Sequence, residues 1–393
     1  MSGSRAWRSR TRAPIPIQPS SLSALIAMRS VAVLISVTAC LCLLAGSPSP
    51  AHARDPGPQV RRSLFALTGW QPPTPREAQS LGRRGLRSYR LALIWESVEP
   101  RRGRFDWASY DGFVGRLASR RIGTFFMIYG CPAWACHGGK PTTGSARSAW
   151  SAFVRAAVRR YGNGGSFWRA HPGLPYLPVS HWQVWNEVNG AFPRAPVYAS
   201  LLHSSAQAIR AADPTSRVVL GGLGEKMAVW LRDYLPRLYA VPGFAGDFDV
   251  MAPEGYAVKP KHLAGILRTT RRIMRRFGDR AKPLWITEMS WATGGPPFPF
   301  VTTRRGQARK LRVSYDLLMA CRKRWNLQRV YWFGLRDKRA PGADYWGYHN
   351  GLLTVSGRWK PAMRRFVQYL RKRLPRGHRT TCRRAARAAR ARL

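Results

Sequence analysis

From Leu64 onward the chain alternates short apolar runs with longer stretches whose apolar residues recur every three or four positions. The runs are Leu64 to Thr68, Arg87 to Leu93, Thr124 to Tyr129, His181 to Trp185, Val218 to Leu220, Phe248 to Met251, Pro283 to Thr287 and Val330 to Phe333. Runs this short and this apolar fit strands of a parallel sheet, which is buried on both faces. Between them, Ser145 to Tyr161 puts Trp150, Phe153, Val154, Ala157, Val158 and Tyr161 on one helical face. Another helix is expected after Thr74, where Pro75 at the first helical position and Glu77 at the third satisfy free amide groups. Eight strand and helix units predict an α/β fold, a (β/α)8 TIM barrel forming a single domain.

The first 53 residues have a different pattern. Met28 and Arg29 open a 16-residue apolar run, Val31 to Gly46, and Ala51-His52-Ala53 follows as a small-x-small cleavage site. The run is shorter than the roughly 20 residues that span a bilayer. Residues 1–53 are therefore expected to be a leader and signal peptide, with a start at Met28, cleavage after Ala53 and export of the remainder. A lipoprotein site at Cys40 is the less favoured alternative, because the apolar run continues past it. The remaining 340 residues divide into an expected barrel domain, 54–375, and a basic tail, 376–393, containing "CRRAARAARARL".

Charge changes the picture of partners. The chain carries 66 basic and 18 acidic residues, a formal net charge of +48. An anionic cell-wall polymer or another polyanion would be attracted to such a surface. The basic residues are spread along the chain and no nucleic-acid recognition motif accompanies them, so specific nucleic-acid binding is not expected. Four cysteines follow the leader: Cys131, Cys136, Cys321 and Cys382. Outside the cell an even number implies disulfides. Cys131 and Cys136 enclose only "PAWA" and can staple one loop, leaving Cys321 to tie the C-terminal segment through Cys382. The spacing matches no usual zinc pattern.

Acidic residues are scarce enough that their positions carry weight. Only seven are glutamates. Glu187 follows "HWQVWN" and Glu288 follows "KPLWIT", each at the end of a strand-like run and ahead of a loop. They lie 101 residues apart, about three strand-helix units, so they are expected at the ends of the fourth and seventh strands. In a barrel that is the end at which sites are built. Two carboxylates across a sugar-sized pocket are what cleavage of a glycosidic bond requires. Trp134, Trp182, Trp185, Trp291, Trp332 and Trp346 offer flat surfaces for sugar rings, although tryptophan is as often core. His181 and His349 read as packing or rim residues, Glu225 and Glu96 as loop or salt-bridge residues with Glu96 a weaker candidate for the rim of the pocket, and Asp337 as a weaker subsite candidate.

"YRLALIWESVEPRRGRFDWASYDGFV", "YGCPAWA", "WNEVN", "WITEMSW", "YWFGLRD" and "GLLTVSGRWKPAM" occur in this order between Leu64 and Tyr369. In that order they resemble the clan A (β/α)8 retaining glycoside hydrolases, the 4/7 superfamily with its cellulase-like and β-xylosidase-like families. The resemblance implies a secreted enzyme cleaving β-linked oligo- or polysaccharides by double displacement, with no cofactor or metal. It implies Glu187 as acid/base, Glu288 as nucleophile, Asn186 on the sugar 2-hydroxyl, and Arg90 keeping Glu288 ionised. Tyr256 would bond Glu288, and Trp332 would form the aromatic floor, with Trp134 and Trp291 as further sugar contacts. Carboxyl groups about 5 to 5.5 Å apart are expected for retention.

Two departures stand out. Relatives often carry His-Pro-Tyr where this chain has Glu254-Gly255-Tyr256, which brings a third carboxylate to the site. They also often carry proline after the acid/base, where Val188 stands here; its loss is expected to relax the loop. The alternative function is a barrel that binds cell-wall or other anionic glycan without cleaving it, its site disturbed by Glu254.

Overall fold

The computed structural model describes residues 64–136, 138–225, 227–371 and 379–391. The expected leader, with its Met28 start and Ala53 cleavage site, lies outside them. Among the described residues no helix is long and apolar enough to cross a membrane. Seven strands, β1 (Phe65–Thr68), β2 (Ser88–Ile94), β3 (Gly123–Tyr129), β4 (His181–Val184), β5 (Arg217–Val219), β6 (Leu284–Met289) and β7 (Leu327–Phe333), form one sheet in the order β5-β4-β3-β2-β1-β7-β6. Every pairing is parallel.

The two edges of this sheet meet through residues 248–251. Val250 bridges to Val219 and Met251 to Leu284, both in the parallel sense. The Leu220 amide donates to Val250 O at 2.9 Å, and the Met251 amide to Pro283 O at 3.0 Å. The stretch expected as the sixth of eight strands thus closes the barrel through single bridges rather than a continuous ladder. After Ala252, whose carbonyl accepts from the Leu223 amide at 3.0 Å, comes Pro253, which bridges to Leu223 but has no amide hydrogen to give a ladder.

Each stave is followed by a helix: α1 (Pro75–Arg83), α2 (Ala108–Ala118), α3 (Gly144–Tyr161), α4 (Ala195–Ala212), α5 (Leu231–Tyr239), α6 (Pro260–Arg276), α7 (Arg304–Trp325) and α8 (Pro361–Arg371). α1 starts as the sequence predicts, with the Glu77 amide donating to Thr74 Oγ1 and the Thr74 amide donating to the Glu77 carboxylate. The large apolar core lies between barrel and helices and includes Leu67, Tyr89, Leu91, Leu93, Trp182 and Trp332. A smaller cluster fills the barrel itself: Ala66, Phe125, Val219, Val250, Ala252, Trp285 and Tyr331.

Strand parity then decides which residues reach the mouth. Alternate residues of a strand point to opposite faces. On β3 the inward series runs Phe125, Met127, Tyr129, and exposure climbs from 3% to 8% to 37%. That series leads from the packed interior to the open C-terminal end. His181 closes the other end, stacked on Trp285 at 4.6 Å. Burial, with the charges of Arg329 and Arg217, pushes its imidazole down to about 3, which makes it a neutral packing residue.

Both expected disulfides are present, Cys131–Cys136 and Cys321–Cys382. Within the segment expected as a separate basic tail, α9 (Arg379–Ala391) packs against α7 and α6. Its Cys382 is buried and bonded to Cys321 of α7. Replacing Cys321 and Cys382 together by serine should lower stability by about 2 to 4 kcal/mol. Urea unfolding followed by circular dichroism would measure it, and an unchanged midpoint would show that the bond adds nothing to the packing of α9.

Candidate active site

The site is built on a buried guanidinium. On β2, Tyr89, Leu91 and Leu93 pack outward beneath the helices, so Ser88 and Arg90 point into the barrel. Arg90 spreads its donors across four other staves or their ends. Nε donates to Gln183 Oε1 at 2.7 Å, Nη1 to Glu288 Oε1 at 2.8 Å and Nη2 to Asn186 Oδ1 at 2.8 Å. Longer or softer contacts reach Thr68 Oγ1 at 3.4 Å and Met127 Sδ at 2.8 Å. The Arg90–Glu288 pair has 3% and 8% of its side-chain surface exposed. A charge pair so dry holds only when its remaining hydrogen-bonding groups are satisfied as well.

Glu288 is aimed by an irregularity in β6. Ile286 pairs with Val330 and Met289 with Trp332, so three steps on β6 match two on β7. The extra residue is a β-bulge, a device that re-aims a side chain at a strand end. Glu288 turns to Arg90 through Oε1 and accepts from the Tyr256 hydroxyl at Oε2, 2.9 Å away. Its own carbonyl accepts from the Gly255 amide at 2.6 Å.

Glu187 is presented by a strained turn. Trp185 and Glu187 both have positive φ, 71° and 45°. Left-handed backbone in non-glycine residues is costly and concentrates at functional sites. Neighbouring contacts hold the turn in place. The Val188 amide donates to Gly222 O at 2.9 Å. Asn189 donates to Gly224 O and Val229 O and accepts from the Gly224 amide. Valine after the acid thus does not relax the loop as expected: it supplies an amide, absent from proline, that ties this loop to the one after β5.

The two acids occupy different electrostatic settings. Burial and the nearby Glu288 charge push the Glu187 carboxyl from 4.5 up to about 7, against the pull of Arg90 and a hydrogen bond from Glu254. Glu254 is fully buried in the same site, and burial, then the charges of Glu288 and Glu187, hold its proton well above the usual carboxylate range. Tyr256 is raised well above its ordinary value by burial and by the carboxylates around it, so it remains a hydrogen-bond donor.

Aromatic residues sort differently from expectation. Trp134 lies half-buried at the rim, its indole donating to Glu99 O at 3.0 Å. Trp291 and Trp332 are both 0% exposed and pack on each other, donating to Ala257 O and Asn350 O. They have no free face for a sugar. The reason for Trp332 is parity: Tyr331 points into the barrel, so Trp332 points out under the helices.

The open wall is made instead by Tyr129, Tyr345 and Phe298, all exposed, with Trp346 stacked on Phe298 at 5.1 Å. Tyr345 packs on Trp346 at 5.1 Å, which meets Tyr256 at 5.7 Å; partial burial and the charges of Glu187, Glu288 and Glu254 push its hydroxyl up to about 12. The inward parity of β3 marks Tyr129 in the sequence; nothing periodic marks Tyr345. Asp337 is an internal anchor, paired with buried Lys360 at 2.7 Å and accepting from the Gly351 amide. Glu99 likewise braces its own loop through Trp95 Nε1 and the Gly103 amide.

No family model matches the chain and no curated protein does. Solved structures do. A family 39 glycoside hydrolase from Bacteroides cellulosilyticus WH2 matches with TM-score 0.61 at 19% identity, over 79% of this chain and 64% of that one. The chain thus spans just under two thirds of that enzyme. A GH5_18 protein from Bifidobacterium longum subsp. longum, in complex with Manb1-4GlcNAc, matches with TM-score 0.60 at 15% identity, covering 78% of each chain. A glucosidase from Croceicoccus marinus matches with TM-score 0.56 at 16% identity, over 79% of this chain and 67% of that one. At these identities the likeness establishes the fold alone, a (β/α) barrel.

Two outcomes follow from the electrostatics. Arg90→Met leaves Glu288 buried without its cation and should cost about 3 to 5 kcal/mol in chemical denaturation. Much of that loss should return in the Arg90→Met, Glu288→Gln double variant, and failure to recover any would mean the pair is not coupled. The second outcome concerns pH. Between 4.5 and about 7 the folded chain holds a proton on Glu187 that the unfolded chain releases, so this group makes stability fall as pH rises. Glu187→Gln should flatten that part of the urea-midpoint profile; an identical slope would assign the decline elsewhere.

Proposed function

We propose that the chain is a secreted retaining glycoside hydrolase acting on β-linked oligo- or polysaccharides. The observation that carries this reading is the Arg90 clamp, which holds Glu288 and Asn186 in one hydrogen-bonded group and leaves Glu187, the next residue, to act as the acid. Glu288, paired with a cation and fed by Tyr256, has the setting of a nucleophile. Glu187, with its proton retained to about 7, has the setting of a general acid. The solved structures that share the fold include glycoside hydrolases, which supports the same chemistry.

In the first step Glu288 attacks the anomeric carbon while Glu187 gives its proton to the departing oxygen, which leaves with the bond's electron pair. Asn186, held by Arg90, would bond the 2-hydroxyl, a contact that strengthens as positive charge builds on the ring. In the second step Glu187 takes a proton from water, whose oxygen displaces Glu288 from the sugar. Tyr129, Trp134, Trp346 and Tyr345 line the approach as stacking surfaces. Two disulfides suit an oxidising compartment, in keeping with removal of residues 1–53 and export of residues 54–393.

The test is hydrolysis of a panel of aryl β-glycosides and soluble polysaccharides by residues 54–393. Glu288→Ala should reduce turnover to background, and Glu187→Gln should lower kcat/KM roughly 10²- to 10⁴-fold on unactivated leaving groups. The first-formed sugar, observed by proton NMR, should keep the β configuration; an inverted product would overturn double displacement. Activity should decline above about pH 7 as Glu187 loses its proton. A folded wild-type chain that binds glycan, cleaves nothing across the panel and keeps its affinity in Glu288→Ala would instead be a binding barrel.

A further inference from the structure

Glu254 is the one acid of the site that cleavage by two carboxyl groups leaves unused. It follows the stretch that closes the barrel, and its amide donates to Leu223 O at 2.9 Å. The residue is 1% exposed. Glycines make room for it: a Cβ on Gly222 would stand 2.4 Å from Glu254 Oε1 and 2.9 Å from Asn186 Oδ1. The carboxyl is therefore packed against the same bare stretch of backbone as the Asn186 amide.

Among the described residues no donor reaches either Glu254 oxygen. The polar group it does meet is the Glu187 carboxyl. Two carboxyl groups bond each other only when one carries a proton, since two carboxylates are both acceptors. The charged and titratable groups facing the pair are Glu288 on β6, Arg90 on β2, Tyr129 on β3, Tyr256 beyond Glu254 and Tyr345 beyond β7. Arg90, the only cation among them, is already occupied by Glu288, Asn186 and Gln183. With that cation engaged, a proton between the two carboxyls is what reconciles them.

We propose that Glu254 is a positioning acid for Glu187, a carboxyl that stays protonated through the reaction and donates its O–H to Glu187 whenever Glu187 is ionised. The proposal rests on Glu187 being the acid/base. After the glycosidic oxygen takes the Glu187 proton and the anomeric carbon is bonded to Glu288, Glu187 is left as a carboxylate in a largely dry wall. The Glu254 O–H then bonds it, favouring the charged form. When water surrenders its proton to Glu187 and its oxygen to the anomeric carbon, the Glu288–carbon bond breaks and Glu254 still holds its own proton. Burial and the surrounding negative charge keep that proton in place.

The test compares Glu254→Gln and Glu254→Leu with the parent, all as residues 54–393. Glutamine keeps a donor for Glu187, whereas leucine removes it. The basic limb of the kcat/KM profile should stay near the parent position in Glu254→Gln. In Glu254→Leu it should move up by about one pH unit, the scale of one hydrogen bond to a charged group. A limb that moves down in Glu254→Gln would show that Glu254 works as an anion, and limbs unmoved in both variants would show no coupling; either overturns the proposal. Isotope-edited infrared spectra near pH 6 count protonated carboxyls without needing turnover or the leucine variant. They should lose one acid band in Glu254→Gln and a different one in Glu187→Gln. A parent without the Glu254 band sinks the proposal, whereas a parent with both bands but no glycosidase activity sinks only the assignment of the reaction.

Discussion

The Arg90 guanidinium at the open end of the barrel sets the terms for the site around it. Arg90 has five N–H donors in a rigid plane and no route to neutrality. Once β2 parity turns it inward, the barrel must supply acceptors, and Gln183, Asn186 and Glu288 do so from β4, its following turn and β6. The same contacts fix the orientation of an amide and a carboxylate at the open end. The cost of burying the ion is thereby shared by groups that also form the site. The local charge count follows: one cation stands against three carboxyls, so burial leaves two of them favouring the protonated form.

Much of this was legible in the sequence for a physical reason. Strands buried on both faces leave uninterrupted apolar runs, so an acid at the end of such a run is conspicuous, and Glu187 and Glu288 are both found at the open end of the barrel. The cap at Thr74 and the two cysteine pairs were legible because each is governed by local chemistry or by count. The same uninterrupted apolarity hides parity. "VYWF" does not tell which ring faces the barrel, and Trp332 was expected inside while Tyr331 occupies that place. The bulge that aims Glu288 has no residue signature either, because "WITEM" contains no glycine or proline to mark it. Tyr345 and Phe298 belong to long loops, where position depends on tertiary contacts rather than period.

The loops after β4 and β5 show how a small change of residue can be absorbed. Valine in place of proline gives the turn one more amide, and the chain uses it on Gly222. Gly222 and Gly224, bare of side chains, let that loop lie close enough to receive Asn189 on one side and Glu254 on the other. The left-handed residues Trp185 and Glu187 are held by this lattice of backbone bonds rather than by glycine's own freedom.

The bond between Cys321 and Cys382 has a topological consequence. It closes a covalent ring that contains all of β7, the Asp337–Lys360 anchor and α8. β7 is also the strand that pairs with β1. The last unit of the barrel therefore cannot be stripped away from the chain terminus inward; it can open only as a tethered loop. A protease cutting once within the ring would leave both fragments attached, so a nicked molecule could retain its shape until the bond is reduced. For a protein proposed to work outside the cell, durability would then depend on the surrounding redox state more than on the integrity of every peptide bond.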